Sequence, residues 1–308
     1  MKKLYLAAFL LFCVLTLILG SPFPAHSQFT WPPVCQEGSL PSGDPKNPED
    51  HQLIVICIPP NWNGRVITYA RGFEPPQAPL ALPIDELTLD GTFFPNLLLV
   101  EGFAFATSSF RKNGATIEQG AEDLNQLLEY FASVAPQPPQ KVYATGASEG
   151  GLIVLRLLER YASQYDAGLA LCAPLAGSPD QIKYVYDFRV VFDYFFPNVF
   201  TFPPNQPGEK PFGAVDVPEN AYLFWDVYES RIITALQMDL PNLPKTTQLF
   251  NVTGAALDIA DPVTSAITTA LSLSFYSVFA TNDQIATAGG IPFDIGLQRT
   301  RDHLTIRP

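Results

Sequence analysis

The chain has 308 residues and a net charge of −12, with 30 acidic against 18 basic side chains. This length accommodates one large domain with an insertion and does not require two. An acidic chain with few lysines argues against nucleic acid or an anionic membrane surface as a partner. Its 23 phenylalanines and 30 prolines are typical of a rigid, loop-rich globular protein rather than a disordered one.

The N-terminus has the pattern of a secretory signal peptide. Two lysines precede an apolar run at residues 4–19, and small residues at Ala25 and Ser27 form a cleavage site. An uncleaved membrane anchor is the alternative, although the apolar run is short for a span. No later segment is expected to cross a membrane. We therefore predict that residues 1–27 are removed and that residues 28–308 form a single secreted or periplasmic domain.

Three cysteines remain after this signal peptide. Cys35 and Cys57 could form a disulfide between an N-terminal loop and the first strand, because export brings the chain into an oxidising compartment. Cys172 lies in the apolar run 169–173 and is predicted to be a buried, unreactive side chain. No group of cysteines and histidines has the spacing of metal ligands, so neither a metal nor another cofactor is predicted.

Strands and helices alternate through the first half of the chain. The predicted strands are 52–59, 65–70, 103–107, 141–145 and 167–172, and the predicted helices are 96–101, 116–135 and 149–165. Thr116 and Gln119 form a capping-box pattern at the start of the second helix. The alternation predicts an α/β protein with a mostly parallel sheet and helices on both faces.

A G-x-S-x-G motif stands at residues 146–150, between a predicted strand and a predicted helix. Such a turn holds the serine in a strained conformation, and only small residues two positions to either side avoid a clash. Gly146 and Gly150 hold those positions around Ser148. The amides that follow lie at the start of a helix, where N–H groups favour negative charge. This setting favours a nucleophilic Ser148 over an ordinary structural turn.

Together with its flanking segments, the motif resembles a secreted bacterial α/β-hydrolase. The segments N-W-N-G, RVITYARGF, TSSFRKNG and VYATGASEGG are similar to the esterase and prolyl-oligopeptidase-like branches of that superfamily. The resemblance covers about residues 50–200. It implies an α/β-hydrolase fold and cleavage of a small-molecule ester or a peptide through an acyl-enzyme on Ser148.

The resemblance also implies an oxyanion hole, a pair of N–H donors for the developing negative oxygen. The amide of Glu149 would be one donor, and Gly72 or Phe73 would supply the other. Arg71 departs from the family pattern, which has a histidine before the glycine, so an ordinary strand-end turn is an equal alternative. The side chain of Glu149 is expected to be solvated or bonded to a cap rather than catalytic.

The pattern changes after the core, which is predicted at about residues 50–176. Aromatic residues at helical spacing in 180–196 are followed by helical patterns at 220–240 and 255–273. We therefore predict a helical cap and C-terminal region over residues 177–308. Most of its aromatic side chains are expected to pack in a core, and a minority to line an apolar acyl or peptide pocket.

The acid and histidine of a catalytic triad are not evident. His51 precedes Ser148, which is the wrong order for this fold, and His303 stands near the end of a basic tail that follows Asp294. That tail differs from the preceding pattern, as a truncation or frameshift would. The apparent incompleteness leaves His303 as a weak candidate for the general base.

One completion of the triad uses the run 274–280 as a seventh strand followed by Asp283 as the acid. A cap helix over 265–280 is the favoured alternative. Two functions therefore remain open: a serine hydrolase completed by Asp283 and His303 or by unrecognised groups, and a catalytically incomplete hydrolase-fold fragment or binding protein. Paired acids at 85–86 and 122–123 point apart, which gives a glycosidase little support.

Overall fold

The computed structural model describes residues 29–41, 47, 49–89, 91–175, 177–215, 217–240 and 242–291. The chain divides into two compact units, with the boundary after Leu175. The predicted signal peptide and His303 lie outside the described residues. The division of residues 28–308 into one domain with a cap stays a prediction.

The first unit contains a six-stranded sheet and a separate two-stranded ladder. The eight strands are β1 (Cys35–Pro41), β2 (His51–Cys57), β3 (Arg65–Ala70), β4 (Thr88–Leu89), β5 (Thr92–Phe93), β6 (Ala104–Ser108), β7 (Lys141–Ala147) and β8 (Ala167–Leu171). The large sheet has the order β1-β2-β6-β3-β7-β8. Strand β2 is antiparallel to both neighbours, whereas β6, β3, β7 and β8 are parallel. The predicted mostly parallel sheet is confirmed.

Both faces of this sheet are covered. The helices of the first unit are α1 (Phe94–Val100), α2 (Ile117–Val134) and α3 (Glu149–Arg160). Because successive side chains of a strand point to opposite faces, β2 contributes to two cores. Ile54 and Ile56 join the apolar core that includes side chains of α2 and α3. Val55 and Cys57 join a second core with Leu99 of α1.

Strand β1 is a segment that the sequence analysis treated as a loop. It pairs antiparallel with β2, and Cys35 lies opposite Cys57 in the register. Its side chains are mostly exposed, so it lacks the apolar pattern by which strands are recognised. The two cysteines form the disulfide considered above, which is typical of a protein outside the reducing cytosol. Cys172 is exposed after the end of β8, and the prediction that it is buried is wrong.

The second unit is mainly helical within its described residues. Its elements are α4 (Ser178–Phe195), β9 (Thr201–Phe202), β10 (Lys210–Pro211), a short 3₁₀ turn (Ala221–Phe224), α5 (Trp225–Met238), α6 (Pro244–Thr253) and α7 (Pro262–Ala288). Helix α7 contains the whole run 274–280, so the alternative of a seventh strand there is wrong. Asp283 consequently lies inside a helix and does not follow a strand.

Helix α7 also corrects the expectation that no segment after the signal peptide could cross a membrane. By length and composition, this 27-residue helix passes that test. Half of its most apolar window is buried inside the protein. A core helix of a soluble protein meets the same test, so the helix is weak evidence for a membrane span.

The disulfide predicts a measurable contribution to stability. Replacing both Cys35 and Cys57 by serine should lower the free energy of unfolding by about 3 kcal/mol, because the unfolded chain regains the entropy of the open loop. Guanidinium denaturation measures this difference, with Ser39→Ala in the same strand as the control. An unchanged denaturation midpoint in the double variant would contradict the prediction.

Candidate active site

Ser148 occupies the sharp turn between β7 and α3. Ala147 ends the strand and Glu149 begins the helix, so a single residue makes the connection. Its backbone angles are φ 55° and ψ −123°. A positive φ is strained for a residue with a β-carbon and is concentrated at functional sites. The Ser148 N–H donates to the Leu171 carbonyl oxygen at 2.9 Å, which ties the turn to β8.

The two glycines of the motif are required by the packing of this turn. A β-carbon at Gly146 would lie 2.6 Å from the Gly150 carbonyl oxygen and 2.7 Å from that of Ala70. A β-carbon at Gly150 would lie 2.1 Å from the Ala70 oxygen and 2.7 Å from that of Arg71. Backbone atoms cannot move aside as the end of a flexible side chain can. No side chain therefore fits at either position without moving the end of β3.

The Glu149 side chain has a structural position rather than a solvated one. It is buried, and its Oε1 accepts the backbone N–H of Thr116 at 2.5 Å and the Thr116 hydroxyl at 3.5 Å. Thr116 precedes the first residue of α2 but makes no side-chain capping hydrogen bond, so the predicted capping box with Gln119 is not formed. The carboxylate instead joins the start of α2 to the start of α3.

Arg71, which follows β3, is buried with 1% of its surface exposed. Burial of a guanidinium requires that its donors find acceptors. Its acceptors, at 2.8–3.0 Å, are the backbone oxygens of Ser109, Gly72 and Lys112 and the side-chain oxygen of Asn113. Burial lowers the pKa of Arg71, and nearby carboxylates, with Glu74 first, oppose that effect.

Of the three carboxyl groups in the loop that follows Arg71, Glu74 and Glu86 are poorly solvated and Asp85 is exposed. Both Glu86 oxygens accept the Gly72 N–H, at 3.0 and 2.9 Å, and Glu86 Oε2 also accepts the Tyr69 hydroxyl at 2.7 Å. Burial raises the pKa of Glu86, while these two hydrogen bonds lower it. Burial, followed by the charge of Glu86, raises the pKa of Glu74 to about 7. The loop thus carries a carboxyl group that titrates near neutral pH.

The predicted oxyanion segment lies beside the serine turn. A β-carbon at Gly72 would be 3.6 Å from the Ala147 carbonyl oxygen, one residue before Ser148. The Gly72 N–H is already bonded to Glu86, and Phe73 is the next residue along the chain. Glu149 begins α3, so its amide belongs to the N-terminal end of that helix.

His51, the histidine that lies in the described part of the chain, is not close to the Ser148 turn. His51 is exposed at the start of β2, where its Nδ1 lies 3.4 Å from the Glu49 carbonyl oxygen. Strand β2 is three positions from β7 in the sheet, a separation of about 14 Å. Among residues 29–291, apart from those not described, no three His, Cys, Asp or Glu side chains are grouped as a metal site.

Sequence reasoning missed the roles of Arg71, Glu74 and Glu86 in this site. Arg71 was noted only as a departure from a family pattern, and Glu86 only as half of an acidic pair. The sequence does contain one signal for this site: Arg71 directly follows an apolar strand. A cation that is buried there must have hydrogen-bonding partners nearby.

Residues 108–206 match the family model described as serine aminopeptidase, S33. A comparison with curated proteins gave no match. Among solved structures, an esterase from Pyrococcus furiosus is 16% identical, with 52% of this chain and 60% of the esterase covered at a TM-score of 0.37. A post-proline cleaving enzyme from Rickettsia typhi is 13% identical, with 52% and 23% covered at a TM-score of 0.36. The chain thus spans less than two thirds of either protein, and the activity of neither is transferred to this chain.

The chain has the α/β-hydrolase fold. The matched segment contains β7, the serine turn and α3, and these lie in a mostly parallel sheet with helices on its faces. The family match supports a hydrolase. It covers about a third of the chain, so the reaction and its residues are not decided by it.

The packing of the turn gives a steric test. Gly150→Ala places a methyl group against the Ala70 and Arg71 carbonyl oxygens, so we expect a loss of about 3 kcal/mol or more in the free energy of unfolding. Gly213→Ala is the matched control, because nothing lies within 4 Å of a β-carbon there. Chemical denaturation of both variants measures the difference. If the two variants were equally stable, the turn would have room for a side chain at residue 150, contrary to the distances above.

The raised pKa of Glu74 predicts a pH-dependent stability. Its folded value of about 7 exceeds the ordinary 4.5, so the stability that its proton confers is complete below about pH 4.5 and is lost as the pH rises to about 7. Glu74→Gln should match the wild type at low pH and exceed it at pH 8 by about 1–3 kcal/mol. Thermal unfolding at pH 4.5 and pH 8 measures this, with Glu37→Gln on exposed β1 as the control. A gain of the same size at both pH values would contradict the assignment.

Proposed function

We propose that this protein is an exported serine hydrolase that cleaves ester or amide bonds through an acyl-enzyme on Ser148. The observation that carries the proposal is the strained conformation of Ser148, held between two glycines whose places no other residue can take. Residues held in sparsely populated backbone conformations are concentrated at active sites. The match of residues 108–206 to a serine aminopeptidase family also supports it.

The reaction would proceed in two displacements. The Ser148 hydroxyl gives its proton to a general base while Oγ attacks the substrate carbonyl carbon, and the carbonyl π electrons move to oxygen. The amides of Glu149 and Phe73 stabilise that oxyanion, each by about 2.7–4 kcal/mol if the site behaves as measured ones do. The intermediate then expels the alcohol or amine, which takes the proton from the base. Water repeats the sequence and releases the acid.

The general base that the sequence suggests lies near the end of the chain. His303 is the candidate from the sequence and lies outside the described residues. The acid of the triad is left unassigned, because the strand that would have placed Asp283 after it is part of α7. Helix α7 and the rest of 177–308 are proposed to include the cap of the hydrolase. No metal or other cofactor enters the reaction as proposed, and the substrate is a small-molecule ester or a peptide.

A second function is a hydrolase-fold protein that binds ligands without turnover. The observation that favours it is that no histidine or acidic side chain hydrogen-bonds Ser148 Oγ within the part of the chain that the structure describes. A serine without its base retains only the residual rate that comes from the oxyanion hole and from binding, so the two functions differ by orders of magnitude.

The first experiment is labelling of the chain from residue 28 to 308 with a fluorophosphonate probe, which reacts with activated serines. We expect one adduct that maps to Ser148 and is absent in Ser148→Ala. Ser133→Ala, at an exposed helical serine, is the control and should label like the wild type. A folded, monodisperse protein that takes up no label would exclude the hydrolase and leave the binding protein.

The same assay tests the base. His303→Ala should slow labelling at least about 1,000-fold, because the serine loses the group that accepts its proton. His51→Ala is the control and should label at the wild-type rate. Unchanged labelling in His303→Ala would assign the base to another residue without affecting the role of Ser148.

A further inference from the structure

The two peptide groups that flank Gly72 are each held by a side chain, the one to Phe73 by the buried Arg71 and the one from Arg71 by the half-buried Glu86. Arg71 Nη1 donates to the Gly72 carbonyl oxygen at 2.9 Å. On the other side of the glycine, both oxygens of Glu86 accept the Gly72 N–H. Gly72 itself has no side chain that could be anchored, so these two contacts are what hold its backbone in place.

Each of these side chains is itself rigidly held. The remaining donors of Arg71 bond to three residues of the loop after β6, at 2.8–3.0 Å. Its guanidinium also lies over the ring of Phe110, 4.6 Å from the ring centre. Glu86 accepts the Tyr69 hydroxyl at 2.7 Å, and Tyr69 belongs to β3. The two contacts therefore connect Gly72 to the sheet and to the neighbouring loop, rather than to mobile side chains.

Because a peptide group is planar, the contact at the Gly72 carbonyl also fixes the direction of the Phe73 N–H. In a trans peptide the C=O and the following N–H point in opposite directions within one plane. Because the Gly72 carbonyl points at Arg71, the Phe73 N–H points away from Arg71. The same segment touches the serine turn on two sides: the Gly72 position lies near Ala147, and the Arg71 carbonyl lies against Gly150.

We propose that Arg71 and Glu86 are positioning residues that hold the backbone of Gly72 on its two sides so that the Phe73 N–H serves as an oxyanion donor for Ser148. The inference rests on the proposed hydrolase function. It assigns a task to the arginine that replaces the histidine of the family pattern. Neither side chain touches the reacting atoms, and both act through the backbone of Gly72.

The two side chains have complementary tasks. The Gly72 carbonyl needs a donor, which Arg71 supplies, and the Gly72 N–H needs an acceptor, which Glu86 supplies. The four hydrogen bonds of Arg71 go to neutral carbonyl oxygens, so its charge is solvated by the backbone and not cancelled by one direct ion pair.

The test separates ground-state binding from the chemical step. For the fluorophosphonate probe, the maximal labelling rate reports the step in which the oxyanion forms, and the half-saturating probe concentration reports binding. Glu86→Leu removes the acceptor of the Gly72 N–H and should lower the maximal rate about 100-fold, with half-saturation changed less than about twofold. Glu86→Gln keeps an acceptor oxygen and should recover most of that loss.

A second pair of variants repeats the test on the other side of Gly72. Arg71→Met removes the donor to the Gly72 carbonyl and should lower the maximal rate to a similar degree, whereas Arg71→Lys keeps a cationic donor and should recover part of it. Asp166→Asn is the control for loss of a carboxylate that accepts a backbone N–H, because Asp166 bonds to Val142 at the far end of β7. Arg189→Lys is the control for a buried arginine.

The outcomes distinguish this inference from the proposed function. Ser148 labelling in the wild type with an unchanged maximal rate in Glu86→Leu and Arg71→Met would overturn the positioning role alone. Losses that appear only in half-saturation, or that are equal in Glu86→Leu and Glu86→Gln, would also overturn it. No labelling of folded wild type would overturn both. Circular dichroism measures the folded fraction of each variant, and each labelling rate is divided by that fraction. A variant that folds poorly is then not mistaken for one with a slower chemical step.

Discussion

The close contact between the end of β3 and the turn after β7 is the constraint on which the rest of the site depends. Ala70 pairs with Gly146 in the parallel register, and the Ala70 carbonyl oxygen lies where side chains at 146 and 150 would have to be. The contact brings α3 directly onto the strand ends, so that the chain must reverse in one residue. Ser148 is the residue that carries the resulting strain. The oxyanion segment, which continues from β3, reaches the serine through the same contact.

A buried polar network stabilises the loops around this contact. Arg71 bonds the loop after β3 to the loop after β6, and Gly114 donates its N–H to the Glu74 carbonyl oxygen at 2.8 Å. Such a network is costly when a member lacks a partner, and it makes the loops rigid when every member has one. Its carboxyl groups lie in a poorly solvated place, which is why the pKa of Glu74 is raised to about 7. The charge of Glu74, and with it the stability of the loops around Ser148, therefore changes near pH 7.

The parts of the proposed hydrolase are unevenly distributed along the chain. The serine, both proposed oxyanion donors and the positioning pair all belong to the first unit, between β3 and α3. The proposed base lies outside the described residues. The geometry of the first unit is compatible with either function, since an oxyanion site binds a polarised carbonyl with or without a base. What separates an enzyme from a binding protein here is a single proton acceptor.

The sequence by itself determined the strand-turn-helix around Ser148, the alternating strands and helices, and the parallel sheet, because apolar periodicity and glycine sterics act over a few neighbouring residues. It did not determine β1, whose exposed side chains carry no apolar pattern, or the full extent of α7, for which it favoured a helix over 265–280 but left a strand at 274–280 as an alternative. It also did not connect Arg71 with Glu86, since these residues are separated in the chain and meet only through the backbone of Gly72. Tertiary structure alone decided these contacts, because hydrogen bonds between distant residues depend on which strand ends lie side by side.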